Sequence, residues 1–236
     1  MNAENTRIAR SDHVVDLAIV ITTLLASKGL LLQWGAVWRY AGPISLLLTL
    51  GVASWRLYVR KTNWSRLGLS WPGSWRFLVL WTLLAFVVTT LAGGIVEGLF
   101  ASVSEQMPVN AEVASRYADR FADLPGNLPM LVLWIGIGWV IGGFTEEILF
   151  RGFLFNKCEM ALRGLPGAVL IAVLFQSVLF GQQHLYYQGL GGALATGTLA
   201  AISGLLYLFG RRNLWALILS HGLANTLGMT MLYFQG

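Results

Sequence analysis

The sequence predicts an all-α, polytopic integral membrane helix bundle with about seven transmembrane helices. Of its 236 residues, 56% are hydrophobic and only 11% are charged, and the mean hydropathy is +0.65; so apolar a chain is a membrane protein by composition. Apolar stretches of about 20 residues, the length that crosses the hydrocarbon of a bilayer, recur at 14–34, 41–58, 76–101, 128–156, 167–187, 190–209 and 213–234. Each is read as a helix, because strands with open edges leave backbone groups unsatisfied in lipid. Lys and Arg are also unevenly shared between the two ends of these stretches.

The polar residues 1–13 precede the first stretch, and no small-residue cleavage site follows it, so no signal peptide is expected. Between the second and third stretches lies RKTNWSRLGLSWPGSWR (60–76), basic with interleaved tryptophans, which suits a segment at the lipid headgroups. The connection 102–127 is the one long polar loop. It carries Glu105, Glu112, Asp119 and Asp123 against Arg116 and Arg120, and a short surface helix fits it. With the basic segment 56–76 placed in the cytoplasm and sides alternating from there, one side collects Arg7, Arg10, Arg56, Arg60, Lys61, Arg66, Arg76, Arg151, Lys157, Arg163, Arg211 and Arg212. The other collects Lys28, Arg39, Arg116 and Arg120. That asymmetry puts the N-terminus in the cytoplasm, and compact loops fit a bacterial inner (plasma) membrane. The net charge of +5 therefore marks loops rather than a nucleic-acid partner. Gly94/Gly98, Gly138/Gly142 and the run GLGGALATG (189–197) fit close helix packing. The single cysteine, Cys158, reads as a small buried side chain. Residues 1–236 form one domain without internal repeats.

An ionisable group inside a span is costly, so it faces the bundle interior and has a partner. Glu147 and Arg151 are four apart and share a helix face; the spacing is compatible with a packing ion pair and with direct chemistry. Glu146 points about 100° away from Glu147 on a regular helix and needs its own partner or task. His13 lies in the polar N-terminal segment. His184 and His221 fall in apolar stretches, with Asn225 one turn beyond His221. The turn RGLPG (163–167) is centred on Leu165, midway between Glu146 and His184. Two helices leaving that turn bring both residues to the same depth, about 28 Å away at ~1.5 Å per residue. His221 is about 12 Å from the start of its own helix, so the hairpin must project past the last helix for all three to align.

EEILFR (146–151), FGQQH (180–184) and HGLAN (221–225), in that order, resemble the Glu-Glu-x-x-x-Arg, Phe-x-x-x-His and His-x-x-x-Asn motifs of the CPBP family. These are intramembrane, metal-independent glutamic endopeptidases that include CAAX prenyl endopeptidases and bacterial abortive-infection and bacteriocin-processing proteins. The resemblance covers the C-terminal half and places the catalytic motifs in 128–234. It implies that Glu146 is the general base that activates a water, assisted by His184, and that His221 and Asn225 donate to the oxyanion. It further implies that Glu147 and Arg151 support the helix and that Phe180 packs beside the site, with no cofactor and with a peptide or membrane-protein substrate taken from the bilayer. Burial in low dielectric makes a carboxylate a stronger base, and donors aimed at the oxyanion typically contribute a factor of about 10² to 10³. The same Glu146, His184 and His221 are also the residue types of a two-histidine, one-carboxylate zinc site, although no HExxH helix is present. A proton-coupled transporter would use Glu and His in a relay, but it would show repeated halves with broken helices. A non-catalytic scaffold or immunity protein is the remaining alternative.

Overall fold

A computed structural model describes residues 9–106 and 109–235, with 102–106 and 109–114 described by their backbone alone; Arg7 and the side chains of Glu105 and Glu112 lie outside the described residues. Every regular element described is helical. In order they are α1 (Arg10–Leu32), α2 (Ala41–Val59), α3 (Trp75–Gln106), α4 (Val109–Phe121), α5 (Leu128–Ala161), the arms α6 (168–188) and α7 (190–209), and α8 (Leu214–Tyr233). Helix α5 runs through the middle, with α1 and α2 on one side and α6, α7 and α8 on the other.

Among the described residues, five helices are long and apolar enough to cross a membrane: Arg10–Leu32, Trp38–Val59, Trp75–Ala101, Leu128–Ala161 and Ala168–Phe209. The last, 42 residues long, is interrupted at Gly189 (φ 69°, ψ −172°), a backbone conformation that is essentially reserved for glycine. There the chain folds back on itself. Gln176 Nε2 donates to Ala200 O at 3.0 Å, and a methyl group on Gly181 would lie 2.4 Å from Ala193 O. The two arms coincide with the predicted stretches 167–187 and 190–209, and the small residues of 189–197 let them close. Helix α8 fills the seventh predicted position without being among the five; His221, Asn225, Thr226 and Thr230 make it more polar.

On α3, Leu80, Leu84, Val87, Leu91, Ile95 and Leu99 form an exposed apolar stripe, as a lipid-facing helix surface requires. The segment 60–76 is split between two environments. Trp71 and Trp75 are exposed, as an interfacial segment predicts, but Leu67 is buried and its carbonyl accepts from Tyr207 Oη at 3.1 Å. Part of the segment is therefore a plug under α7.

One end of the bundle collects the starts of α1, α6 and α8 and the ends of α2, α5 and α7, together with most of the basic residues. Its anchor is Asp16, fully buried on the α1 stripe His13, Asp16, Val20, Leu24 and Lys28. Lys157 Nζ of α5 lies 2.7 Å from Asp16 Oδ2, and Arg56 of α2 and Arg60 just beyond its end lie 2.8 and 3.3 Å from Asp16 Oδ1. One carboxylate thus ties three helices. His13, placed by the sequence in the polar N-terminal segment, belongs to this packed face: α1 begins at Arg10, and the His13 side chain is buried. Nearby, Arg212 grips both oxygens of Glu159 at 2.5 and 2.8 Å. Cys158 is a buried free thiol.

Because removing one partner strands buried charges, Asp16→Asn is expected to destabilise the protein by about 3–5 kcal/mol. Adding Lys157→Met to that variant should restore part of the loss. Thermal unfolding of the three proteins in detergent measures both effects.

Candidate active site

Helix α5 is capped by Asn127, whose side chain accepts from Met130 N at 3.3 Å, with Pro129 in the first turn. From Gly138 to Phe155 its turns widen to the π type, apart from the single residue Glu147. The uniform 3.6-residue helix assumed from the sequence is corrected here: a π turn bonds i to i+5, and such turns are frequent at functional sites. Two polar side chains reach carbonyls five residues back, Thr145 Oγ1 to Val140 O at 2.8 Å and Asn156 Nδ2 to Arg151 O at 3.1 Å. The EEILFR motif sits inside this widened stretch.

The widened face lies antiparallel against α8. A Cβ on Gly143 would meet Ile218 O at 2.9 Å, and a Cβ on Gly142 would meet Asn225 Nδ2 at 2.2 Å. The Gly138/Gly142 spacing therefore makes room for one particular side chain: Asn225 donates from Nδ2 to Gly138 O at 2.9 Å. Farther along, Gly152 faces Leu214, so α5 projects beyond the start of α8. That projection brings His221 level with the glutamates.

Glu147 and Arg151 are both buried, with Arg151 Nη1 3.2 Å from Glu147 Oε1. Arg151 also lies over the Phe180 ring, 4.8 Å from its centroid, and its Nη2 donates to Ala200 O at 3.4 Å. The same Glu147 oxygen is 2.9 Å from His221 Nδ1. An ionised carboxylate can only accept, so Nδ1 carries the proton and Nε2 faces the other way. Glu147 is thus more than the partner of Arg151, because it also sets the orientation of His221. His184 obeys the same rule: its Nδ1 is 2.9 Å from Phe180 O, an acceptor, so in the neutral ring Nδ1 carries the proton and Nε2 is the acceptor. The Phe180 ring packs between the Arg151 guanidinium and the His184 ring, 4.8 Å from the latter. Phe150 meets Phe180 at 4.9 Å between centroids, and both are equally far along the chain from Leu165, the register expected of two helices leaving that turn.

Glu146, His184, His221 and Asn225 all line one cavity of about 120 Å³. His221 Nε2 is 3.9 Å from Glu146 Oε2, and among the described residues Glu146 has no Lys or Arg within ion-pair distance. A second cavity, of about 570 Å³, opens on the far side of His184, His221 and Asn225 and is lined by Glu147 and Arg151 but not Glu146. The adjacent glutamates face different spaces. Among the described residues no three His, Cys, Asp or Glu side chains are gathered as metal ligands. Glu146, His184 and His221 share a cavity without forming the ligand group that the zinc reading requires.

Sequence reasoning missed the aromatic wall of the smaller cavity. Tyr186 and Tyr187 of α6, Phe121 of α4 and Trp134 of α5 line it, and Arg120 of α4 enters among them, its guanidinium 4.4 Å from the Tyr187 centroid. The YYQG sequence after His184 was the available signal, but nothing in the chain order ties it to an arginine in the polar loop.

Gly142→Ala is expected to push the Asn225 amide aside and to lower stability by about 1–3 kcal/mol. Adding Asn225→Ala should recover most of this, as read by thermal unfolding. Residues 128–227, from the start of α5 into α8, match the family model described as Type II CAAX prenyl endopeptidase Rce1-like. No curated protein and no solved structure gave a significant match to the chain. Residues 128–227, which carry Glu146, His184, His221 and Asn225, are thus similar to the CAAX-protease-like (CPBP) family of membrane peptidases.

Proposed function

We propose that the protein is an intramembrane endopeptidase in which Glu146 activates a water to hydrolyse a peptide bond at the smaller cavity. The observation that carries this reading is the isolation of Glu146: a carboxylate with no Lys or Arg partner among the described residues, facing a cavity it shares with two oriented imidazoles and an amide. Glu146 takes a proton from the water, and the resulting hydroxide adds to the scissile carbonyl carbon. His184 Nε2, held as an acceptor by the Phe180 carbonyl, positions the water. As the carbonyl oxygen becomes an oxyanion, Asn225 offers its second amide N–H. His221 Nε2 donates when the ring carries both protons, a form that the Glu147 carboxylate stabilises. The proton held by Glu146 then passes to the amide nitrogen as the C–N bond breaks, releasing a carboxylic acid and an amine, which exchange a proton to leave as carboxylate and ammonium. Glu147, Arg151 and Phe180 hold this arrangement without touching the substrate. No step uses a metal.

The substrate in this reading is a peptide or membrane protein presented from the bilayer. The basic end of the bundle, with the start of α1, faces the cytoplasm of a bacterial plasma membrane, and the chain acts as a single domain. A proton relay is less well supported, because the two arms of the hairpin are not repeated halves.

Glu146→Gln should lower peptide cleavage by about 10²- to 10⁴-fold while leaving the thermal midpoint unchanged, and cleavage by the parent should persist in chelator. A Glu146→Gln protein that cleaves like the parent sinks the mechanism. Loss of parental activity in chelator, restored by added zinc, favours the zinc reading instead.

A further inference from the structure

We infer that Arg120 is a substrate-binding residue that clamps a carboxylate of the peptide on the leaving-group side of the scissile bond; this rests on the peptidase reading of the same cavity. Arg120 lies on α4, outside the matched segment 128–227, so the motif set says nothing about it. Its side chain is only 7% exposed, and it projects into the cavity that holds Glu146. The guanidinium donates to the Tyr186 hydroxyl and sits over the rings of Tyr187, Trp134, Phe121 and Tyr186. Its Nε is buried without a hydrogen-bond partner. No carboxylate lies within ion-pair distance of it among the described residues.

A guanidinium is always charged, and its fork of N–H donors matches a carboxylate in two bonds. Aromatic faces hold such a cation without neutralising it. A second cation close by has no carboxylate partner among the described residues either. Lys28 of α1 is 4% exposed, donates to Gln183 O at 3.4 Å, and lies 5.5 Å from the Tyr186 ring. Two buried cations stand beside a cavity whose lining, among the described residues, has one acidic side chain, Glu146. Buried charges without counter-charges are destabilising, and an incoming anion would offset that. Because Arg120 and Glu146 line the same cavity of only about 120 Å³, that anion belongs to the peptide close to the bond at Glu146. The matching group is the terminal carboxylate or an acidic side chain just beyond the scissile bond.

The test is peptide binding to the Glu146→Gln protein in detergent micelles, which needs no hydrolysis. The probes are an N-terminally fluorescent apolar hexapeptide as free acid, its C-terminal amide, and the amide with Asp at the penultimate position, each followed by fluorescence anisotropy. The free acid is expected to bind about 10- to 100-fold more tightly than the amide, as a charge-assisted pair implies. Adding Arg120→Gln should remove the difference by weakening the acid alone, and Arg120→Lys should retain part of it. If the Asp-bearing amide recovers the affinity, the clamp reads a carboxylate wherever the chain carries it; if not, it reads the terminus. Arg39→Gln, which breaks the 2.8 Å pair with Asp123 beyond the end of α4 without touching the cavity, should leave the discrimination intact. Equal binding of acid and amide, no binding of any probe, or equal weakening of both by Arg120→Gln overturns the inference. Failure of the peptidase reading would appear separately, as parental protein that cleaves no better than Glu146→Gln.

Discussion

The constraint on which the site depends is that Glu147 is a buried charge in a helix surrounded by apolar neighbours. Its charge is met from two sides, by Arg151 one turn along α5 and by His221 across the interface with α8. Neither contact is dispensable in low dielectric, where an unmatched carboxylate is strongly disfavoured. The pair with Arg151 ties the acid to the Phe180 ring and to Ala200 O, and hence to both arms of the hairpin. The bond to His221 fixes the proton on Nδ1 and turns Nε2 towards Glu146. One carboxylate therefore orients side chains on α5, α6 and α8.

The widened turns of α5 serve the same end. A glutamate pair on consecutive residues must deliver one carboxylate to the buried pair and the other to the cavity. Glycines at 138, 142 and 143 bring α8 close enough for His221 and Asn225 to meet them. The cost of the wide turns is borne locally by Thr145 and Asn156, whose side chains satisfy carbonyls five residues away. Farther along, Asn156 also bonds Tyr207, and Tyr207 bonds Leu67 O. The polar network of the basic end and the widened stretch are thus continuous along one helix.

The wall of His184, His221 and Asn225 separates a small polar cavity from a larger one. On the proposed mechanism, the smaller space receives the scissile bond and the residues on its leaving-group side. Helix α4, read from the sequence only as a surface helix, closes the smaller space with Arg120 and Phe121.

Much of the bundle was legible in the sequence, because a helix in lipid must satisfy its backbone alone and must be about 20 apolar residues long. That rule located the seven helical positions, and Gly164, Pro166 and Gly167 marked the turn at 163–167. The equal distances of Glu146 and His184 from Leu165 give them a common level through helix rise, so that level could be read from chain numbering. The unpaired state of Glu146, the link from Glu147 to His221, the π turns and the place of Asp16 could not. Each depends on which faces meet between helices distant in sequence, and periodicity does not encode the partner of a face. Arg120 is the extreme case: its loop composition predicts an exposed cation, and only the packing of α4 against α6 turns it into the cavity. Sequence alone determined the helices and their ionisable candidates, through local backbone and solvation rules. Tertiary structure decided which charges are neutralised and which remain free to act, because that is set by contacts a few ångströms long between residues far apart in the chain.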